Sequence, residues 1–374
     1  MRQSKGSHTV NWRSQLNNYI RIPAADIRPF ISTLFERLGV SSPDAIIASD
    51  VLVQADLRGV DSHGVNNLFQ YIDPLRSGDL NPRPIVTAIT ETPTTVLLDG
   101  DGGMGLVVGV KAMELCIAKA HQCGVGIATV RRSRHFGMAA YHSMLGLKHN
   151  MIGFALTNNS SPGILPTYGS APMMSTNPIS MAAPTGRDIP FVLDMATSVV
   201  AFSKIGAALT KGEKIPFGWA VDVAGNPTSD PQKAWDGRRI LPLGSTPEGS
   251  SHKGYGLAVL VDILSGVLSG GCYGNLATRN PPSDPRIRES SSHFLMALRV
   301  DVFRPLEEFK AAMDDMLGAL RDSAKAPGHD RIYTHGEKEH ECSQDRTRHG
   351  IPYHTAFVAN LRLLSNEFNV PFRH

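Results

Sequence analysis

The chain has 374 residues, long enough to bury a sizeable core and to form two or three domains. Hydrophobic residues make up 41% and charged residues 19%, the balance of a soluble globular protein, and the net charge of +3 is thinly spread. Lys and Arg form no run with interleaved aromatics, so nucleic acid is not an implied partner, and no stretch has the apolar length of a membrane span.

The first helix is expected at 22–38, where Ile27, Phe30, Ile31, Leu34 and Leu38 share a face before Gly39. Ser41 and Pro43 open a second helix, which Gly59 stops near 57. Helix continues at 68–75, and strands are expected at 86–90 and 95–99. Gly100, Gly102 and Gly105 then match a G-x-G-x-x-G pattern between a strand and a helix expected at 106–122. That motif alone admits a dinucleotide-binding parallel sheet, but the repeating β-α-β units do not continue. Further strands are expected at 125–130, 151–158, 191–197 and 292–299, a polar loop at 275–292, and helices at 257–268, 302–323 and 353–368.

The four cysteines (Cys116, Cys123, Cys272, Cys342) form no framework of close pairs, which favours a reducing compartment. Cys116, His121 and Cys123 lack a fourth ligand at a familiar spacing and lie on a helix that reads as amphipathic, so no metal is expected. Residues 1–21 carry Arg2, Lys5, Arg13 and Arg21 with no acid before Asp26. That pattern suits a mitochondrial transit peptide, but a solvated tail on a cytoplasmic protein is preferred.

Chemistry-bearing side chains concentrate at 55–71. Asp56, Arg58, Asp61, Ser62 and His63 crowd where the second helix stops, and Gly64 would let backbone approach whatever binds there. A histidine on such a loop can carry a proton at working pH, although a capping or solvated role is the plainer alternative. A second cluster, Ser-Arg-His-Phe-Gly, occupies 133–137. Asp194 stands alone in an apolar strand, where a carboxylate needs a partner; a histidine is the natural one.

The run Ala-Asp-Leu-Arg-Gly-Val-Asp-Ser-His-Gly-Val at 55–65 resembles the signature of the malate/L-lactate dehydrogenase family. These are NAD(P)-dependent oxidoreductases whose members include sulfolactate, ureidoglycolate, diketogulonate and cyclic-imine (piperideine) carboxylate enzymes. Later motifs fall in the family's order. They are the His135 cluster, Ser-Thr-Asn-Pro at 175–178, Gly-Trp-Ala at 218–220, Ser-His-Lys-Gly at 251–254 and a Gly-Glu pair at 336–337.

The resemblance implies an α/β, non-Rossmann, sulfolactate-dehydrogenase-like fold with a mixed or antiparallel central sheet. A helical, substrate-binding and dimerising region would come from 22–84 plus 250–374, and a β-rich cofactor region from 85–249. It implies His63 as acid/base with Ser62 and Asp194 in its relay, and His135 facing the substrate or taking the acid/base role itself. NAD or NADP would be held by Thr176, Asn177, Pro178, Leu193, Asp194, Met195, Trp219, His252, Lys253, Gly254, Gly336 and Glu337.

The implied substrate is a small 2-hydroxy or 2-oxo acid, and the assembly a homodimer. Many members carry Arg four residues after the signature His, where this chain has Asn67. Asn67, Arg58 and Arg134 are therefore the candidate substrate contacts. Two alternatives remain: reduction of a cyclic imine carboxylate, or cofactor binding without turnover.

Overall fold

The computed structural model describes residues 18–187, 189–276, 280 and 291–374. Most of the N-terminal tail, with its targeting reading, and most of the polar loop expected at 275–292 lie outside the described residues.

Strand β1 (Tyr19–Ile22) leads into α1 (Ala24–Arg37) and α2 (Ser42–Leu57). The Ser41 hydroxyl accepts from Asp44 N–H and Pro43 sits in the first turn, so both sequence signals act as read. After two single-turn 3₁₀ segments comes α3 (Phe69–Ser77), followed by β2 (Thr87–Glu91), β3 (Thr95–Asp99), α4 (Gly105–Cys123) and β4 (Val125–Ser133). The middle of the chain supplies α5 (Ala139–Met144), β5 (Met151–Thr157), β6 (Ile179–Ala183), β7 (Phe191–Met195) and α6 (Phe202–Lys211). Three short strands, β8 (Ala220–Val221), β9 (Pro227–Thr228) and β10 (Arg239–Ile240), form a small sheet beside α7 (Pro231–Gly237). The remainder comprises α8 (Ser251–Val261), which continues as a π-helical turn over Asp262–Val267, then β11 (Ser291–Arg299), α9 (Leu306–Asp322), α10 (Glu337–His349), β12 (Ile351–His354) and α11 (Thr355–Phe368).

The central sheet runs β2-β3-β4-β11-β5-β6-β7. Only β3 and β4 are parallel, joined by α4 as a crossover; the other neighbours are antiparallel. The mixed sheet is thus observed, and it is not the all-parallel sheet of a dinucleotide fold. β11 comes from the 250–374 span, which the sequence grouped with the helical region, yet it lies at the centre of this sheet.

One core joins both ends of the chain. Ile27, Ile31 and Leu34 of α1 and Val51 and Leu52 of α2 pack with Ile351, Tyr353, Val358 and Leu361, while β1 pairs antiparallel with β12. A second core lies under the sheet. Helix α4 serves both: Leu106, Val107 and Val110 face the helices, while Val108, Ala112, Met113 and Cys116 face the sheet. The helix that reads as amphipathic is therefore covered on two sides. Cys116 is buried in it, with its thiol pushed up to about 12 by burial, whereas Cys123 is exposed.

Several elements were not anticipated, among them β1, β6, β8, β9, β10, α6 and α7, and two further differences have a clear cause. Helix α10 was not anticipated, because its polar sequence offers no apolar stripe. Tyr353 belongs to β12 rather than opening the last helix, since residues 351–354 are held extended by pairing with β1.

Beneath the sheet the rings of His142, Phe136 and His293 stack, with centroids 4.6 Å and 4.8 Å apart. Burial lowers His142 to about 4 and His293 to about 3. In the unfolded chain both would titrate near 6.5. Their contribution to stability is therefore complete above 6.5 and is lost as pH falls towards 4. His142→Gln keeps a donor for the Phe136 carbonyl but cannot titrate. Urea unfolding at pH 7 and pH 5 should show an acid-induced loss smaller in this variant than in wild type, by up to about 2 kcal/mol.

Candidate active site

Gly59, at φ +75°, ends α2 and turns the chain into two 3₁₀ turns, Asp61–His63 and Val65–Asn67. The first presents Ser62 and His63, with Ser62 Oγ 3.0 Å from His63 Nδ1. A Cβ added at Gly64 would fall 1.6 Å from Asp56 Oδ1. What approaches this glycine is therefore the protein's own carboxylate, not a ligand.

His135 follows the end of β4. Its ring stacks on that of His63 at 5.5 Å with an interplanar angle of 16°, and its Nδ1 lies 2.7 Å from the Tyr71 hydroxyl. The two signature histidines, far apart in sequence, thus stand face to face. Burial lowers both pKa values below 6.5, and His135, further opposed by His63 and His142, falls to about 3. Both rings are therefore held towards the neutral form.

His63 opens onto a cavity of about 560 Å³. Its apolar wall includes Met138, Pro178, Val192 and Met195; its polar groups include Arg58, Thr176, Asp194 and Glu339. Asp194 is exposed on the cavity wall, and desolvation by the surrounding protein raises its carboxyl to about 6 against the opposing Ala140 hydrogen bond and Arg58 charge. Ala140 N–H donates to Asp194 Oδ2 at 2.7 Å. The anticipated Asp194–His63 pair is not formed. Although the two groups line one cavity, the carboxylate is held by the start of α5 and faces Arg58 instead.

Arg58 is the unusual group of this wall. Its Nε is buried without a hydrogen-bond partner, and burial lowers its pKa against attraction from Glu339 and Asp194. The residue is half-exposed, but a buried Nε–H left without an acceptor is costly unless a bound group completes it.

On the far side of the histidine pair lies a second cavity of about 320 Å³, lined by Tyr71, Arg134, His135, Asn159, Ser160 and Ser161. Arg134 is buried there and donates to the Asp79 carbonyl. Asn67 instead turns its amide onto the Ser62 carbonyl, bracing the loop rather than lining either cavity.

The anticipated cofactor contacts divide. Thr176, Pro178, Asp194, Met195 and Gly336 line the larger cavity. Asn177 is buried behind it, donating to Ala258 O at 2.8 Å and accepting from Ser175 Oγ at 2.5 Å. Leu193 accepts from Ser180 through its carbonyl. Glu337 turns away to Arg321, Arg331 and Thr334, and its neighbours Lys338 and Glu339 line the cavity in its place. Trp219 packs on the core around Val200 and Ile205. His252 and Lys253 lie exposed at the start of α8, outside the cavity. Gly254 is there because Leu243 backbone lies against it, a Cβ falling 2.3 Å from Leu243 O.

Tyr71 and Asp56 were not assigned roles from sequence. Tyr71 carried a usable signal: Leu68, Tyr71, Ile72 and Leu75 form a buried helical stripe, and a phenol in such a stripe needs a partner for its hydroxyl.

The glycine-rich turn is also settled by geometry. A Cβ at Gly105 would fall 2.0 Å from Arg134 O, and one at Gly100 3.0 Å from Arg132 O. The backbone that leads to His135 fills the place a pyrophosphate would need. Arg131 and Arg132 are engaged with Asp99.

A mixed sheet with paired imidazoles at the edge of a cavity places the fold outside the parallel dinucleotide-binding class. Residues 22–362 match the malate/L-lactate dehydrogenase family, and the chain belongs to it. It is 42% identical to a malate dehydrogenase of Pyrococcus abyssi, covering 94% of this chain and 96% of that one. It is 38% identical to the L-sulfolactate dehydrogenase of Methanocaldococcus jannaschii, over 92% and 96% of the two chains. The crystal structure of malate dehydrogenase from Entamoeba histolytica superposes with a TM-score of 0.90 at 34% identity, covering 95% of this chain and all of that one (100%). The protein is accordingly an enzyme, an oxidoreductase acting on a CH–OH group.

Gly102 has φ +68°, and an added Cβ would meet only Asn81 Cβ, at 3.9 Å. Gly102→Ala should cost about 1 kcal/mol of stability by urea unfolding and leave ligand binding intact. Gly105→Ala should displace the Arg134–His135 backbone and lower activity far more.

Proposed function

We propose that the chain is an NAD(P)-dependent dehydrogenase that interconverts a small 2-hydroxy acid and its 2-oxo acid. The observation that carries this reading is the neutral His63–His135 pair between two cavities, beside the unpartnered Arg58. The larger cavity fits the nicotinamide end of the cofactor. Its volume is adequate, its walls are apolar, and Thr176 and Gly336 lie at its edge. The nicotinamide, when bound, supplies or takes up the hydride at the substrate C2.

The protein's part is to bind, orient and move a proton. His63 donates a proton to the substrate oxygen in reduction and accepts it in oxidation, with Ser62 at Nδ1 fixing the tautomer. His135 is held neutral and oriented by Tyr71, which suits it to hydrogen-bond the same oxygen rather than carry the proton. Arg58 offers the substrate carboxylate a fork of donors. Because Arg58 already supplies a cation, the Asn67 substitution does not argue for a binding-only role. The named relatives act on hydroxy acids, which favours that class over a cyclic imine carboxylate.

Oxidation of NADH and NADPH should be followed over a panel of 2-oxo acids and cyclic imine carboxylates. We expect 2-oxo acids to be turned over, His63→Ala to lose at least about 10²-fold in kcat, and Arg58→Met to raise KM roughly tenfold to a hundredfold. Turnover of imines alone, or full activity in His63→Ala, would overturn the reading. The pH dependence has a definite sign. Oxidation needs neutral His63 and should decline as pH falls through its pKa, which lies below 6.5; reduction should decline as pH rises through the same value.

The chain is further read as a homodimer. Leu257, Leu260, Ile263, Val267 and Leu268 expose an apolar stripe along α8 and its π continuation. Light scattering should give twice the 40.4 kDa chain mass, and Leu260→Glu should shift it towards the monomer.

A further inference from the structure

The acid/base loop contains few contacts of its own. Its two 3₁₀ turns have backbone bonds such as His63 N–H to Val60 O at 2.9 Å and Asn67 N–H to Gly64 O at 3.0 Å. No apolar side chain of the Asp61–His63 turn is buried. Such a segment would not hold an imidazole to the tolerance that proton transfer needs unless something outside it fixed the loop.

Asp56 lies directly beneath. It is fully buried (0% exposed) on the last turn of α2, and its Oδ2 accepts from Val65 N–H at 3.0 Å and from the Tyr353 hydroxyl at 2.6 Å. Its Oδ1 is buried with no hydrogen-bond partner and is pressed against Gly64. Val65 begins the turn that follows His63, so the carboxyl fixes the loop at the residues just beyond the imidazole. Gly64 lies at φ −89°, so glycine is required there for room, not for its dihedral freedom. Arg346 of α10 grips the loop from outside, donating to the Asp61 carboxylate and to the Asp56 carbonyl.

We propose that Asp56 is a positioning residue for catalysis: its buried carboxyl, anchored by Tyr353 of the C-terminal strand, sets the place of His63 through Val65 N–H and the Gly64 contact. The inference rests on His63 being the acid/base. Asp56 touches neither cavity and acts only through the loop. Burial raises its carboxyl to about 7, against the Tyr353 and Val65 hydrogen bonds, with Asp61 raising and Arg346 lowering it. A group that is neutral for part of the time explains how Oδ1 is tolerated without a partner. It also makes asparagine a close mimic, since an amide supplies an oxygen for Val65 N–H and a second polar atom of the same size.

The test uses the full-length enzyme and two independent readouts, kcat and hydrogen exchange of the 60–67 segment, together with cofactor Kd by NADH and NADPH fluorescence. Asp56→Ala is expected to lower kcat at least tenfold and speed exchange of that segment at least tenfold, with cofactor Kd within twofold of wild type. Asp56→Asn should restore kcat to within threefold and restore protection. Gly64→Ala should be as damaging as Asp56→Ala in the wild-type background. In the Asp56→Ala background, where the space is free, it should cost less than a further twofold.

Wild-type kcat and protection in Asp56→Ala would overturn the proposal. So would fully additive losses in the double variant, or exchange that rises equally across α1, α2 and β12. Should Asp56→Ala not fold, Tyr353→Phe takes its place. It removes only the anchoring hydroxyl, and a threefold fall in kcat with faster 60–67 exchange supports the proposal, while unchanged values overturn it. Exchange does not depend on turnover. A wild type inactive on every 2-oxo acid would therefore defeat the functional reading while the exchange data still decide the role of Asp56.

Discussion

Helix α4 is packed on both sides, and the rest of the site depends on that constraint. One flank meets the sheet and the other the helices from the two ends of the chain. At its N-terminus Gly105 lets the Arg134–His135 backbone come within the reach of a single missing methyl group. β4 therefore delivers His135 to a point fixed by α4. α2, packed in the same helical core, delivers His63 to that point from the other layer. The stacking of the two rings follows from a helix with no freedom to shift, because a close-packed interior transmits any displacement to its neighbours.

The electrostatics have one origin. Desolvation pushes four groups in and beneath the site towards their neutral forms: His63 and His135 downwards, Asp56 and Asp194 upwards. Arg58 is the exception, since a guanidinium stays charged at any working pH. Arg58 thus places a fixed cation among groups held towards neutrality, which suits the carboxylate substrate proposed above. His63 faces the larger cavity and His135 the smaller one, a difference of position that distinguishes the two imidazoles of the pair.

Much of this was legible in the sequence, for reasons that differ between residues. Ser41, Pro43 and Gly59 mark helix ends through local stereochemistry, which needs no tertiary information. His63, His135 and Asp194 stood out because polar groups in unusual settings demand partners. The partner itself was not legible. Asp194 took the Ala140 N–H and the field of Arg58, because β7 and α5 meet only in three dimensions. Helix α10 escaped because its stability comes from ends and ion pairs rather than an apolar stripe. With it went Lys338 and Glu339 of the cavity wall and the Arg346 grip on Asp61. Gly64 was read as leaving room for a ligand and Gly105 as part of a glycine-rich turn, but at both positions the approaching group is the chain itself.

The antiparallel pairing of β1 with β12 also sets a timetable for biosynthesis. A ribosome delivers His63, His135 and Asp194 early. Gly336 of the cavity wall, Arg346 and Tyr353 come only near the end. Until that last portion emerges, β1 has no partner strand and Asp56 lacks the Tyr353 hydroxyl. A growing chain therefore carries β1 and Asp56 before the strand and hydroxyl that pack against them have been made.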